Sequence, residues 1–81
     1  MDEERVRIRG RLAECERQFD QLDLSAGSDI TTVRNYLDAF EPDVTKLRTN
    51  EAKIAMDRLH ATIEQMKELK ERIQKLREAI E

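Results

Sequence analysis

One histidine is the first candidate for chemistry in this sequence. His60 lies three residues after Asp57 and four residues before Glu64, so on a helix a carboxylate could sit beside the imidazole, as in a general acid–base pair. A single histidine provides neither a nucleophile nor a set of metal ligands. The sequence also lacks a glycine-rich phosphate loop and a Ser/His/Asp set. We therefore interpret His60 as a solvated surface residue and expect no enzymatic activity, no cofactor and no metal site.

One thiol and one basic cluster are the other candidates. Cys15 falls on an apolar helical stripe, so we expect a small buried side chain rather than a reactive one. Four arginines, at positions 5, 7, 9 and 11, could contact phosphate. They wind around the helix, have acidic neighbours and belong to a chain of net charge −3. Nucleic-acid contact through the Arg5 to Arg11 cluster is therefore a minor alternative, and we expect little affinity at physiological salt.

Composition indicates long helices. The chain has 81 residues, of which 41% are charged and 4% aromatic, as is typical of coiled coils. A single cysteine cannot form an internal disulfide. The first residues lack the apolar core of a signal peptide, and no apolar run reaches transmembrane length. We therefore expect a soluble intracellular protein, cytoplasmic or nuclear, with no membrane partner.

Apolar spacing predicts a first helix over residues 2–23. Residues 5–9 also alternate with period two, as a half-buried strand would. We favour the helix because its stripe continues beyond them and no second strand is available for pairing. The members of this stripe recur every three or four residues: Ile8, Leu12, Cys15, Phe19 and Leu22.

A turn-rich patch follows at residues 24–29. Gly27 could supply a positive φ there, and Ser28 or Asp29 could cap the next helix. That second helix is expected over residues 29–54, with a kink or a break near Pro42. Its apolar stripe contains Ile30, Val33, Leu37, Phe40, Val44 and Leu47.

The two stripes predict an antiparallel helical hairpin that turns at residues 25–28. Phe19 would then lie near Val33, and Leu12 near Phe40. The core of this hairpin would be Ile8, Leu12, Cys15, Phe19, Leu22, Ile30, Val33, Leu37, Phe40, Val44 and Leu47. A first helix of about 33 Å is too short to cover a second segment of about 75 Å. The chain would therefore divide into a hairpin at 1–54 and a coiled-coil oligomerisation tail at 55–81.

The tail carries a heptad pattern. Leu59, Met66, Ile73 and Ile80 fall seven apart, with leucines three residues after two of them, which is the a/d spacing of a coiled coil. The predicted fold is thus all-α, an N-terminal antiparallel hairpin followed by a long C-terminal helix that forms an intermolecular coiled coil. The predicted oligomer interface is Leu59, Ile63, Met66, Leu69, Ile73, Leu76 and Ile80.

Self-association is the function that this pattern favours. We expect a non-enzymatic assembly module, part of a larger structural or scaffolding protein, with a homodimer favoured and a trimer or tetramer open because Ile63 widens the stripe. In a parallel homodimer, however, Arg72 would face Arg77 of the other chain. An antiparallel pairing is therefore open, and so is an adaptor role in which the tail binds a different helix with acidic edges.

The first half of the chain resembles a known family. Its features are the run Ile8-Arg9-Gly10-Arg11-Leu12, a helix ending around Phe19, a Ser/Gly/Asp linker, and residues 33–41, Val-Arg-Asn-Tyr-Leu-Asp-Ala-Phe-Glu. This arrangement resembles the N-terminal helical region of gag-like polyproteins of BEL/Pao-type retrotransposons. The resemblance implies self-assembly ahead of a capsid-like region, and the tail from Leu59 departs from it.

Overall fold

Two long helices pack side by side as an antiparallel hairpin. In this computed structural model, which describes residues 3–81, helix α1 spans Glu3–Tyr36 and helix α2 spans Thr49–Ile80, with a short 3₁₀ turn at Val44–Lys46 between them. The Cα trace extends 66 × 16 × 14 Å. The described residues contain no strand. The prediction of an all-helical chain with a hairpin and a long second helix is confirmed.

The predicted turn at residues 25–28 is wrong, because α1 runs through it without a break. Gly27 has no positive φ. The hydroxyls of Thr31 and Thr32 donate hydrogen bonds of 3.0 Å to the carbonyls of Gly27 and Ser28, the bonding of such residues inside a helix. A glycine inside a helix costs only about 1 kcal/mol. An unbroken α1 offsets that cost by packing along all of α2.

The helix limits change accordingly. The predicted helices at 2–23 and 29–54 are replaced by α1 and α2, and the predicted start at residue 2 lies outside the described residues. Asp29 is therefore not a helix cap but an interior residue of α1.

The chain reverses over residues 37–48, around Pro42. Asp43 caps the 3₁₀ turn, since its Oδ1 accepts hydrogen bonds from the Thr45 backbone N–H at 3.1 Å and the Thr45 hydroxyl at 2.6 Å. The guanidinium of Arg48 lies 5.6 Å from the ring centroid of Tyr36, a cation–π contact between the two helix ends. A break at Pro42 was one of the two predicted outcomes, and here it forms the hairpin turn itself.

The interface between the helices is a regular coiled-coil seam. On each helix the buried and half-buried seam positions step alternately by three and four residues, which is the a/d pattern. The α1 positions are Ile8, Leu12, Cys15, Phe19, Leu22, Ala26, Asp29, Val33 and Tyr36. The α2 positions are Ala52, Ala55, Leu59, Thr62, Met66, Leu69, Ile73, Leu76 and Ile80. Because the helices are antiparallel, each α1 position pairs with one α2 position when the second series is taken in reverse order. Ile8 is then level with Ile80, and Tyr36 is level with Ala52.

The seam has two unlike halves. Toward the chain ends, Cys15, Leu69 and Ile73 form the buried cluster, and four partly buried residues pack against it, namely Leu12, Phe19, Leu22 and Leu76. Toward the turn, Leu59 is the one large apolar side chain among the buried positions, and the others are small or polar: Ala26, Asp29, Ala52, Ala55 and Thr62. No large side chain among residues 3–81 is fully buried. The hydrophobic core is therefore thin and concentrated in one half of the hairpin.

Several predicted core residues are exposed. Ile30, Leu37, Phe40 and Val44 all lie at the surface, and Phe40 is 92% exposed. The reason is the helical phase. With no turn at residues 25–28, the stripe of α1 continues through Ala26 and Asp29. Ile30 and Leu37 therefore fall one residue past seam positions, while Phe40 and Val44 lie in the loop region.

The predicted contacts of that hairpin do not form either. Phe19 and Val33 are in the same helix, about 21 Å apart along its axis. Leu12 packs in the cluster of Cys15, Leu69 and Ile73, far from the turn that holds Phe40.

Candidate functional site

An ion pair joins the two helices in the turn half of the seam. The Nε of Arg58 donates a hydrogen bond of 2.9 Å to Oδ1 of Asp29, and Nη2 of Arg58 lies 2.9 Å from the same oxygen. The Asp29 side chain is buried, whereas the guanidinium is mostly exposed. The hydrogen bond from Arg58 to the carboxylate, followed by their Coulomb attraction, raises the pKa of the Arg58 guanidinium. Arg58 thus stays charged and partners the buried carboxylate.

The second carboxylate oxygen, Oδ2 of Asp29, is buried and accepts no hydrogen bond from the described residues. A half-satisfied buried carboxylate depends strongly on its one cation, because losing that partner leaves an unpaired charge. Sequence reasoning missed this pair. The signal was present, since Asp29 falls seven residues after Leu22 and fourteen after Cys15, but Gly27 was read as the end of the helix.

One side of the hairpin is defined by the residues that directly follow seam positions. Glu16 follows Cys15 on α1, and Arg77 follows Leu76 on α2. Nη2 of Arg77 donates a 3.2 Å hydrogen bond to Oε1 of Glu16. The contact shows that these positions on the two antiparallel helices border the same side of the seam.

The same side becomes apolar toward the turn. Four large side chains occupy the equivalent positions there, and their exposed fractions lie between 37% and 53%. They are Ile30 on α1, Leu37 directly after Tyr36 at the end of α1, and Met56 and Ile63 on α2. We call these four residues the turn-end patch. A group of large apolar side chains on one side of a molecule marks a packing site more often than scattered residues do.

The other half of this side is charged. On α1, Glu16, Asp20 and Asp23 form an acidic edge beyond Arg9, and on α2, Lys70 and Arg77 form a basic edge. Four of these five edge residues, all but Asp23, line a shallow groove over the core residues Phe19 and Ile73. The positions nearest the seam on this side are therefore apolar at the turn and ionic at the chain ends, and Arg34, Lys53 and His60, which also directly follow seam positions, flank the turn-end patch.

The remaining exposed apolar residues of the helices are isolated. Val6, Leu24 and Ile54 lie on outward positions away from the seam. Single exposed residues of this type are common on protein surfaces and need no partner. Leu24 and Ile54 serve below as matched controls for the turn-end patch.

The residues predicted as an oligomer interface lie mostly in the seam. Leu59, Leu69 and Ile73 are buried against α1, and Met66, Leu76 and Ile80 are half-buried. The premise that the tail has no partner within the chain is therefore wrong. Ile63 alone belongs to the turn-end patch. Whether the seam residues also carry contacts between chains stays a prediction.

The other candidates lie at the surface. His60 and its neighbours Asp57 and Glu64 are exposed, and Glu64 pairs with Lys67 at 3.3 Å. Within residues 3–81 no three acidic, histidine or cysteine side chains are placed to hold a metal ion. None of the helices within residues 3–81 is both long enough and apolar enough to cross a membrane.

The four arginines of the basic cluster are exposed along α1. Arg7 and Arg11 border a groove that also includes Glu14 and Arg72. Glu14 forms a salt bridge with Arg17, and this hydrogen bond lowers the pKa of the Glu14 carboxyl. The groove thus contains an acidic group among its cations, as expected from the sequence.

Known proteins give no further guide to this surface. No match was found among protein families, curated proteins or solved structures. The resemblance of residues 8–41 to gag-like polyproteins of BEL/Pao-type retrotransposons therefore stays a prediction.

Proposed function

We propose that this chain is a non-enzymatic self-association module, in which one helical hairpin packs against a second copy of itself. The observation that carries the proposal is the turn-end patch, four large apolar side chains on one side of a hairpin that has no fully buried large side chain among its described residues. Burying such a side chain fully contributes about 1.5–3 kcal/mol. Association therefore offers the stabilisation that one hairpin lacks.

The thin core supports the same proposal. Two helices alone bury one stripe each, and the seven buried apolar residues here include three alanines and a cysteine. Small domains with so little buried surface commonly depend on oligomerisation. A pair of hairpins gives each helix a second neighbour, as in a four-helix bundle.

A second route to the same function uses the seam itself. The contacts between α1 and α2 could equally form between two chains if the hairpin opened at residues 37–48, which would be a domain swap. The predicted interface of Leu59, Leu69, Ile73 and their neighbours would then lie between chains. An adaptor role would instead place a different helix on the exposed surface.

The test is the molar mass of the full chain in solution. Sedimentation equilibrium over a range of protein concentrations should show twice the mass of one chain, with dissociation on dilution. Thermal unfolding should shift to higher temperature as concentration rises, because association stabilises the folded state by mass action. A mass of one chain throughout, with an unfolding temperature independent of concentration, would refute self-association and favour a heterologous helix.

A further inference from the structure

The surface of the hairpin distinguishes between the ways in which two copies can pack. We propose that two hairpins pack with their turn-end patches together and point in the same direction, related by a twofold axis parallel to their length. This inference rests on the proposed self-association and adds its surface and its geometry. The product is a four-helix bundle with both turns at one end.

The twofold axis brings unlike helices together. Rotation by half a turn about the long direction places α1 of one copy against α2 of the other, with equal heights along the hairpin kept in register. Ile30 then lies near the height of Ile63 in the second copy, and Leu37 near that of Met56. The apolar half of each copy is covered by the apolar half of the other, as an isologous interface requires.

Charge complementarity supports the same orientation. At the chain-end half, the acidic edge of α1, with Glu16, Asp20 and Asp23, faces the basic edge of α2, with Lys70 and Arg77, in the second copy. Opposite charges thus meet along this half of the interface, which favours correct pairing and register.

The reversed orientation is disfavoured by the same residues. If the copies overlapped head to tail, each turn-end patch would cover the charged half of the other copy. Glu16, Lys70 and Arg77 would then lose water against apolar side chains. Glu16 and Arg77 would keep only their pair within the hairpin, and burying charges without further compensation is costly. A partner for this surface must itself be apolar at one end and charged at the other. A second copy of the chain has that division by symmetry, so it is the occupant that the surface favours.

The available area is sufficient for a stable dimer. A face as long and wide as the Cα trace measures 66 by 16 Å, a flat area of about 1,000 Å², compared with about 800 Å² buried per partner in a standard interface. Overlap of the turn halves alone would cover only part of it. Full side-by-side overlap is therefore the arrangement that reaches the size of a specific interface.

The first experiment places a charge on the proposed surface. Ile63→Glu and Leu37→Glu should each raise the dimer dissociation constant, measured by sedimentation equilibrium, by roughly tenfold or more, because each carboxylate would be buried without a partner. Leu24→Glu and Ile54→Glu are the matched controls, since these residues are more exposed and lie off this side. The controls should leave the dissociation constant near that of the wild type.

Helix content by circular dichroism identifies a variant that fails to fold. If Ile63→Glu unfolds, Ile63→Ser, which adds no charge, should still weaken the dimer while the helix content is retained. A dimer that survives the patch variants, or that dissociates with the control variants instead, would overturn the proposed surface while leaving self-association intact. A monomeric wild type would overturn both.

The second experiment tests the direction of the two copies. A spin label on Asp38→Cys, in a Cys15→Ala background first checked by sedimentation to remain dimeric, reports the distance between the two turns. Copies that point the same way should give a distance far below the 66 Å length of the hairpin. A distance near that length would show head-to-tail packing and refute the proposed geometry.

Discussion

Asp29 and Arg58 join the two helices across 29 residues of sequence. Asp29 is the one charged residue among the seam positions. Its side chain is 6% exposed, whereas that of Arg58 is 58% exposed. A slip by one heptad would set Asp29 beside Glu51 or Gln65 in place of Arg58. Since a buried charge without its partner is costly, we expect this pair to favour the observed register of a seam whose two neighbouring layers each contain an alanine.

Removing the cation should destabilise the hairpin. Arg58→Ala leaves the buried Asp29 carboxylate without its partner, so we expect a loss of about 1–3 kcal/mol in the free energy of unfolding. Urea unfolding followed by circular dichroism measures this loss. Lys67→Ala is the control, because it breaks an exposed pair with Glu64 and should cost less than about 1 kcal/mol.

Replacing Asp29, in contrast to replacing Arg58, should not lower the free energy of unfolding. Asp29→Leu removes the buried charge and adds apolar surface to the seam, so the free energy of unfolding should stay level or rise. The helix register should become less well defined, which cysteine cross-linking between α1 and α2 would detect as additional pairings. A loss of stability as large as that of Arg58→Ala would show that the pair contributes stability rather than register.

Gly27→Ala should stabilise the protein. Gly27 has a helical backbone, and a Cβ there would meet nothing within 4 Å, so alanine should add about 0.5–1 kcal/mol to the free energy of unfolding. Gly10→Ala, with the same open surroundings, is the matched comparison and should behave alike. Destabilisation by Gly27→Ala alone would indicate a turn at residues 25–28 instead of the continuous α1.

Truncation of core and surface residues should differ sharply. Leu69→Ala removes a buried side chain of the main cluster and should cost about 2–5 kcal/mol. Phe40→Ala should change the free energy of unfolding by less than about 0.5 kcal/mol, because the ring is exposed in the turn. Urea unfolding at a protein concentration low enough for the chain to be monomeric measures both effects. Equal losses in the free energy of unfolding from the two variants would contradict the observed core.

Cys15 should be protected from thiol reagents in the folded protein. It is buried among Leu69 and Ile73, so alkylation needs the helices to separate locally. We expect slow labelling in buffer and fast labelling in urea, followed by mass spectrometry. Leu69→Ala should accelerate labelling in buffer, whereas the surface variant Leu24→Ala should leave the rate unchanged.

The part of the fold that could be predicted is local. The stripe of Ile8, Leu12, Cys15, Phe19 and Leu22 was correctly assigned to one helix face because periodicity depends only on spacing along the chain. The heptad of the C-terminal third is also a prediction from spacing, but its packing against α1 of the same chain was not predicted. The turn was misplaced because Gly27 and Ser28 are common turn residues, whereas their cost inside a helix is small enough for packing to override.

The sequence by itself determined that this protein is made of amphipathic helices with three-four spacing, since each such stripe is encoded by the order of its own residues. Only the tertiary structure decided which stripe meets which. That choice depends on the chain reversal at residues 37–48, and on the match of Ala26, Asp29 and Val33 to Thr62, Leu59 and Ala55 across the seam. Pairing energies between distant residues are not visible in local spacing. The turn-end patch, which exists only because Ile30 and Ile63 border the same side of the folded hairpin, was therefore out of reach of the sequence alone.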